Sequence, residues 1–249
     1  MANWNDDQAT RQGFGVSPSQ GGDLAGRTTT FDAGLRKHML SIYNYMTSGV
    51  LLTGIVALLF ARSGMAAQVM TGGPLTWLII LSPLAIVMAM SFGANKFSTG
   101  TLQMMFWGFA LLMGLSMSTI FLVYTGASIA VTFFATAAAF AGLSLFGYTT
   151  QKSLSGMGSF LIMGVVGLIV AMLLNMWLQS PGLMYAISFL GVLIFAGLTA
   201  YDTQRLKQQY AYVAGSDMAG KAIILGALTL YLDFINMFQF LLSFLGSRE

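Results

Sequence analysis

Gly226-Ala227-Leu228-Thr229-Leu230-Tyr231-Leu232-Asp233-Phe234-Ile235-Asn236-Met237-Phe238 lies inside an apolar run from Ala222 to Leu245. As a helix rising about 1.5 Å per residue, such a run crosses a hydrocarbon core of roughly 30 Å. Asp233 stands near its middle. A carboxylate at that depth costs on the order of 2.5–3.5 kcal/mol on insertion scales, so an acid inside a span reads as functional by default. The run is therefore expected to be the functional axis of a membrane protein.

Six further runs precede it, at about residues 40–61, 75–94, 102–124, 128–148, 159–178 and 183–204. Composition agrees. The chain is 56% hydrophobic and 8% charged, with a mean hydropathy of +0.76, whereas soluble domains carry about 25% charged residues. The runs are continuously apolar rather than alternating, which excludes a transmembrane β-barrel. The fold class is thus an all-α polytopic membrane protein with seven transmembrane helices. Residues 1–31 are polar, with Asp6 and Asp7 where a signal peptide would be basic, so they read as a disordered tail and not as a signal peptide. Residues 32–249 form the seven-helix domain, entered through a short amphipathic lead-in at 32–38. Pro74 and Pro181 stand at helix starts, where proline is tolerated. Pro83, inside the second span, predicts a kink.

Lysine and arginine set the expected orientation. Arg11, Arg27, Arg36, Lys37, Lys96, Lys152, Arg205, Lys207 and Lys221 fall on one side, and Arg62 and Arg248 on the other. The N-terminus is expected in the cytoplasm and the C-terminus outside. The sequence pI of 9.2 does not signal nucleic acid, because the basic residues are scattered over short connectors without an aromatic-lined basic face. The chain has no cysteine, so disulfides, thiolate metal sites and cysteine nucleophiles are excluded. Its 18 methionines are spread over most spans and read as apolar packing. Small residues at Ala110, Gly114 and Ser118, at Ala135 and Ala139, and at Ala138 and Gly142 predict close helix contacts on spans three and four. The connectors after Phe92-Gly93 and Phe146-Gly147 echo one another, each carrying a lysine (Lys96, Lys152) and then a Ser-rich turn.

A second acid, Asp202, ends the sixth span within Ala200-Tyr201-Asp202-Thr203-Gln204. With span ends near 207 and 222, Asp202 lies about 8 Å deep and Asp233 about 16 Å. If the two meet, like charges in a low-dielectric site cannot both ionise easily, and the pair shares a proton. When both ionise they repel, and either separate or recruit a cation. Calcium, a hard cation with oxygen ligands, suits them. Two carboxylates alone are too few ligands for tight binding, so Asp202 and Asp233 would form a weak calcium site on a pathway. Tyr201, Arg205, Tyr231, Asn236 and Lys96 are supporting candidates. Arg205 could instead hold Asp202 as an interfacial ion pair, and Asn236 could make a plain interhelical hydrogen bond. His38 reads as an interfacial anchor.

The stretch 230–238 resembles the C-terminal signature of the Bax inhibitor-1, or transmembrane Bax inhibitor motif, family. Ala200-Tyr201-Asp202-Thr203-Gln204 resembles its sixth-helix motif, and 147–164 is similar to its bacterial members. The resemblance covers about residues 31–246. It implies a central last helix wrapped by two groups of three helices. It also implies a pH-regulated calcium leak, with Asp202 and Asp233 as the sensor pair, in a bacterial inner membrane. The implied partners are lipid, calcium as the transported ion, and protons, with no cofactor. One departure is visible. The family pattern has an arginine on the second helix that latches the pair, and the nearest basic residue here is Lys96, which lacks the bidentate fork. The connector at 208–221 also reads as long.

Three other classes compete with a leak. An aspartyl intramembrane protease would match Tyr201-Asp202, but Leu230, Tyr231 and Leu232 stand where a glycine-rich turn before the second aspartate is needed. A retinal protein needs a buried lysine for its Schiff base, and no span interior has one. A non-conducting protein that binds other membrane proteins, such as a membrane protease, remains the principal alternative.

Overall fold

The computed structural model describes residues 19–69 and 71–248, with side chains placed from Asp32 onward. Seven helices are long and apolar enough to cross a membrane. They are α1 (Ser19–Arg62), α2 (Pro74–Gly93), α3 (Thr99–Met117, continued by the turn Ile120–Val123), α4 (Gly126–Thr149), α5 (Ser155–Leu178), α6 (Pro181–Val213) and α7 (Met218–Leu245). A short helix, Met65–Val69, follows α1. The chain is a multi-pass membrane protein. Many large apolar side chains face outward, among them Trp77, Phe92, Met104, Phe134 and Trp177, as a lipid-facing surface requires.

Local signals account for the helix ends. Ser98, Thr125 and Ser180 cap α3, α4 and α6 by accepting from the amides of Thr101, Ser128 and Leu183, each satisfying an otherwise orphaned donor. Pro74 and Pro181 begin α2 and α6, where the missing N–H costs nothing. Pro83 is buried within a helix that continues through it.

The arrangement follows from which faces bury. α7 packs against α1, α3, α4 and α6, and its apolar window is the most buried of the seven. The helices α1, α2 and α3 form one group, and α4, α5 and α6 the other. They meet chiefly through α7, as the family resemblance implied.

Residues 19–31 belong to α1, and residues 1–18 lie outside the described residues. Two expectations need correction. The connector expected at 208–221 shrinks to 214–217, because α6 runs on to Val213 and α7 starts at Met218. On α4 the small residues Ala135, Ala138, Ala139 and Gly142 are exposed. The face that packs carries Thr132, Thr136, Phe140, Ser144 and Gly147 instead, a period-four row that buries hydroxyls rather than alanines. The α3 stripe does pack: a Cβ on Gly114 would meet the Thr53 carbonyl and Val56 of α1.

One end of the bundle carries Arg36, Lys37, Lys96, Lys152, Arg205, Lys207 and Lys221 and is called the basic end below. At that end Lys221 of α7 donates to the carbonyls of Ala94 and Asn95, just past α2. Lys207 of α6 donates to Tyr148 O at the end of α4, at 2.8 Å, with its ammonium 5.0 Å from the Tyr148 ring. Both lysines satisfy terminal carbonyls at the negative end of a helix dipole. The two echoed connectors are thus pinned in the same way, by a lysine from the aspartate-bearing helices. At the opposite end Ser247 and Arg248 tie the close of α7 to Tyr124, Thr125 and Ser128.

Candidate functional site

The structure brings Asp202 and Asp233 together. Their carboxyl groups lie within hydrogen-bonding reach of one another. Both residues are buried, 7% and 4% exposed. Longer helices reduce the apparent depth offset only slightly, to about 6 Å at helical rise. Counted from Val213 and Met218, the two acids lie about 16 and 22 Å along α6 and α7. Helix tilt and two side chains span the remaining difference. A hydrogen bond between two carboxyls needs a proton on one of them, since an ionised carboxylate only accepts. Asp233 Oδ2 has no hydrogen-bond partner among the described residues and is fully enclosed. A buried polar atom left unpaired costs free energy and calls for an explanation.

Arg205 approaches the pair from outside. Its guanidinium is 4.0 Å from Asp202 Oδ1, one turn along α6, and its side chain is 65% exposed. So long and exposed a contact contributes little, and it leaves Asp233 untouched. Among the described residues no group of three or more acids and histidines gathers, so the pair supplies few protein ligands to a cation.

The other predicted residues go elsewhere. Tyr201 lays its ring over Gly158 of α5, where any Cβ would clash with it. Lys96 is exposed in the α2–α3 connector and takes no part in the pair. Asn236 donates to its own helix at Leu232 O, 2.8 Å away, and faces a cavity of about 380 Å³ beside Pro83 and Phe195. His38 is buried with its ring 5.2 Å from Tyr210.

Tyr231 sits on another face of α7. It is fully buried and bonded to Thr53 Oγ1 at 2.6 Å, and that hydroxyl donates to Ala110 O at 2.8 Å. Thr53 has one proton, and it is committed to Ala110, so Tyr231 donates to Thr53. Phe106 and Phe109 meet the Tyr231 ring edge-on. Tyr231 therefore locks α7 to α1 and α3. Tyr231→Phe removes only that bond and is expected to cost about 0.5–1.5 kcal/mol of stability, read as a lowered melting temperature in detergent. An unchanged melting temperature would show that the lock carries no energy.

Three features beside the pair, two of them polar, were not singled out from the sequence. Gln204 Oε1 accepts from Leu154 N at 2.8 Å, and its Nε2 donates to Lys152 O at 2.9 Å. One amide thereby clamps the α4–α5 connector two residues from Asp202. Thr203 Oγ1 lies 3.0 Å from Ser144 Oγ, which lies 2.5 Å from Tyr43 OH, a hydroxyl chain across α6, α4 and α1. Gly147 lets α4 touch α6, because a Cβ there would collide with the backbone carbonyl of Ala200. Gln204→Leu deletes both clamp bonds. It is expected to speed amide hydrogen exchange at 152–154 by roughly tenfold while the cores of α4 and α6 keep their protection; unchanged exchange there would refute the clamp.

Beyond Asp233, toward the opposite end, aromatics fill the bundle. Phe234 meets Phe133 and Phe140, each at 5.6 Å between centroids, and Phe238 continues the contact with Phe133. The acid pair thus lies between a polar clamp and an aromatic layer.

Known proteins agree with this architecture. Residues 35–249 match the family described as Inhibitor of apoptosis-promoting Bax1. A Caulobacter vibrioides protein is 49% identical over 231 residues, covering 88% of this chain and 91% of its own. The protein RP147 of Rickettsia prowazekii is 44% identical over 224 residues, 90% of this chain and 94% of its own. The inner membrane protein YbhL of Escherichia coli is 45% identical over 220 residues, 87% of this chain and 94% of its own. With seven apolar helices and such a relative, the chain is a multi-pass protein of the bacterial inner membrane. It belongs to the Bax inhibitor-1 family.

Proposed function

We propose that the chain is a pH-sensitive calcium leak, with Asp202 and Asp233 as the proton switch in its path. The observation that carries this reading is the enclosed carboxyl pair within hydrogen-bonding reach, one of whose oxygens has no partner. With a proton between them the two acids hold α6 to α7, and the pair carries one charge at most. When that proton leaves, two carboxylates repel in a poorly screened site and attract a divalent cation. Entry from the basic end passes the connectors held by Gln204, Lys207 and Lys221. Exit requires Phe234 and its neighbours to part, since an apolar constriction blocks ions by excluding water. The excess of lysine and arginine supports a cytoplasmic basic end. Ligand exchange is fast at so sparse a site, which suits passage better than storage.

The chain is not an enzyme in this reading. Leu230 and Tyr231 are fully buried against neighbouring helices, which argues against a peptide backbone lying beside Asp233. The test is calcium entry into dye-loaded liposomes containing the purified chain. Flux is expected to rise as pH is raised from roughly 5 to 8, the direction in which a shared proton is lost. No flux at any pH would overturn the leak and favour a non-conducting, partner-binding role.

A further inference from the structure

The helices do not close into a ring between α1 and α4. These two touch through the Tyr43–Ser144 hydroxyl contact but pack little otherwise, and α7 forms the floor between them. A cavity of about 720 Å³ occupies the basic half of this gap, and one of about 320 Å³ continues it. Both are lined by Val50, Phe133 and Phe234, so they form one groove. Along α1 the groove runs from Arg36 to Ala57, about 31 Å at helical rise, which matches a hydrocarbon core. Its rims, Leu40, Leu51, Phe134 and Leu145, are each at least half exposed, so it opens sideways to the bilayer.

The groove is mostly apolar, interrupted by the hydroxyls of Tyr43, Thr47, Thr53 and Ser144, and charged at one mouth. Arg36 lines that mouth and is exposed. Among the described residues the only ion pair is Arg205 with Asp202, so Arg36 has no carboxylate partner. Tyr148 lines the same mouth, with the Lys207 ammonium against its ring. Among the described residues no acidic side chain lines either cavity. A phosphodiester would meet a guanidinium suited to bidentate phosphate contact, while a quaternary ammonium would meet no counter-charge.

We propose that the α1–α4 groove binds one anionic phospholipid, its acyl chain laid along Val50, Phe133 and Phe234 and its phosphate on Arg36. This site shares Phe133 and Phe234 with the proposed exit but not the acid pair, and its test reads lipid retention without any ion flux. The test is native mass spectrometry of the full chain from micelles holding equal phosphatidylglycerol and phosphatidylcholine with identical acyl chains. The wild type is expected to retain phosphatidylglycerol in preference. Arg36→Gln should lower that retention roughly tenfold, the scale of one charge-assisted contact. Lys37→Gln, turned about 100° away on the helix, should leave it unchanged. Ala137→Trp, which fills the groove without altering charge, should lower it too. Equal retention of the two lipids by the wild type overturns the proposal. So does equal loss in Arg36→Gln and Lys37→Gln, which would mean diffuse attraction to the basic end. If Ala137→Trp does not fold, the two charge variants decide alone, since both residues are exposed.

Discussion

Asp233→Asn is expected to leave calcium flux low and flat across pH. Asparagine keeps the shape of a protonated carboxyl and its ability to hydrogen-bond to Asp202, but it cannot ionise. On the proposed switch, the variant is therefore held in the single-charge state. Removing one charge from beside the ion forfeits on the order of 4 kcal/mol at an effective dielectric of 20. Flux at high pH should thus fall by roughly two orders of magnitude or more. Asp202→Asn should do the same, because either acid alone leaves one charge. The variants should stay folded, since an amide at the centre of a span is less costly to insert than a carboxylate. Dye-loaded liposomes read both quantities. If flux in either variant still climbs with pH, the sensor lies elsewhere while the leak stands.

Gly147→Val should have the largest effect on the fold itself. Gly147 is buried where α4 meets α6, and a Cβ there would run into the Ala200 carbonyl. The obstacle is backbone, so no rotamer change relieves it. The helices must move apart, and with them the Ser144–Thr203 bond and the Lys207 contact to Tyr148. Overpacking a close contact costs about 1–3 kcal/mol or more, and the lost polar contacts add to it. Gly142 supplies the control on the same helix: its position has nothing within 4 Å of a would-be Cβ. Gly142→Ala should be neutral or mildly stabilising through helix propensity, worth up to about 1 kcal/mol. Melting temperatures that rank these two variants the other way would show that the α4–α6 contact is misplaced.

The spans were legible because bilayer thickness sets their length and apolar content, and neither depends on tertiary partners. Asp202 and Asp233 were legible because a charge inside a span stands out from the residues around it. What stayed hidden has physical causes. The stretch from Arg205 to Tyr210 is polar and looks like a connector by hydropathy, yet its residues are sound helix formers. The helix therefore continues out of the apolar run to Val213, and this extension erased the supposed long loop. The Gln204 clamp and the Tyr43–Ser144–Thr203 chain involve uncharged groups, which carry no signal in charge pattern or hydropathy. Ser144 could have been found from its place in the row Thr132, Thr136, Phe140, Ser144, whose spacing of four marks one helix face. The alanine pairs on α4 misled because small residues permit close packing without requiring it. Lys96 misled because proximity in sequence to a helix end says little about reach into a core.

The central claim is that Asp202 and Asp233 share one proton whose loss opens the path. Infrared difference spectroscopy of the chain in liposomes, titrated from acid to alkaline pH, observes that proton directly through the carboxyl carbonyl stretch. The account predicts one protonated-carboxyl band that disappears over the same pH interval in which calcium flux rises. It also predicts that Asp202→Asn and Asp233→Asn each remove or displace that band. Two carboxylates ionised throughout the interval, or a band whose loss leaves flux unchanged, would contradict it.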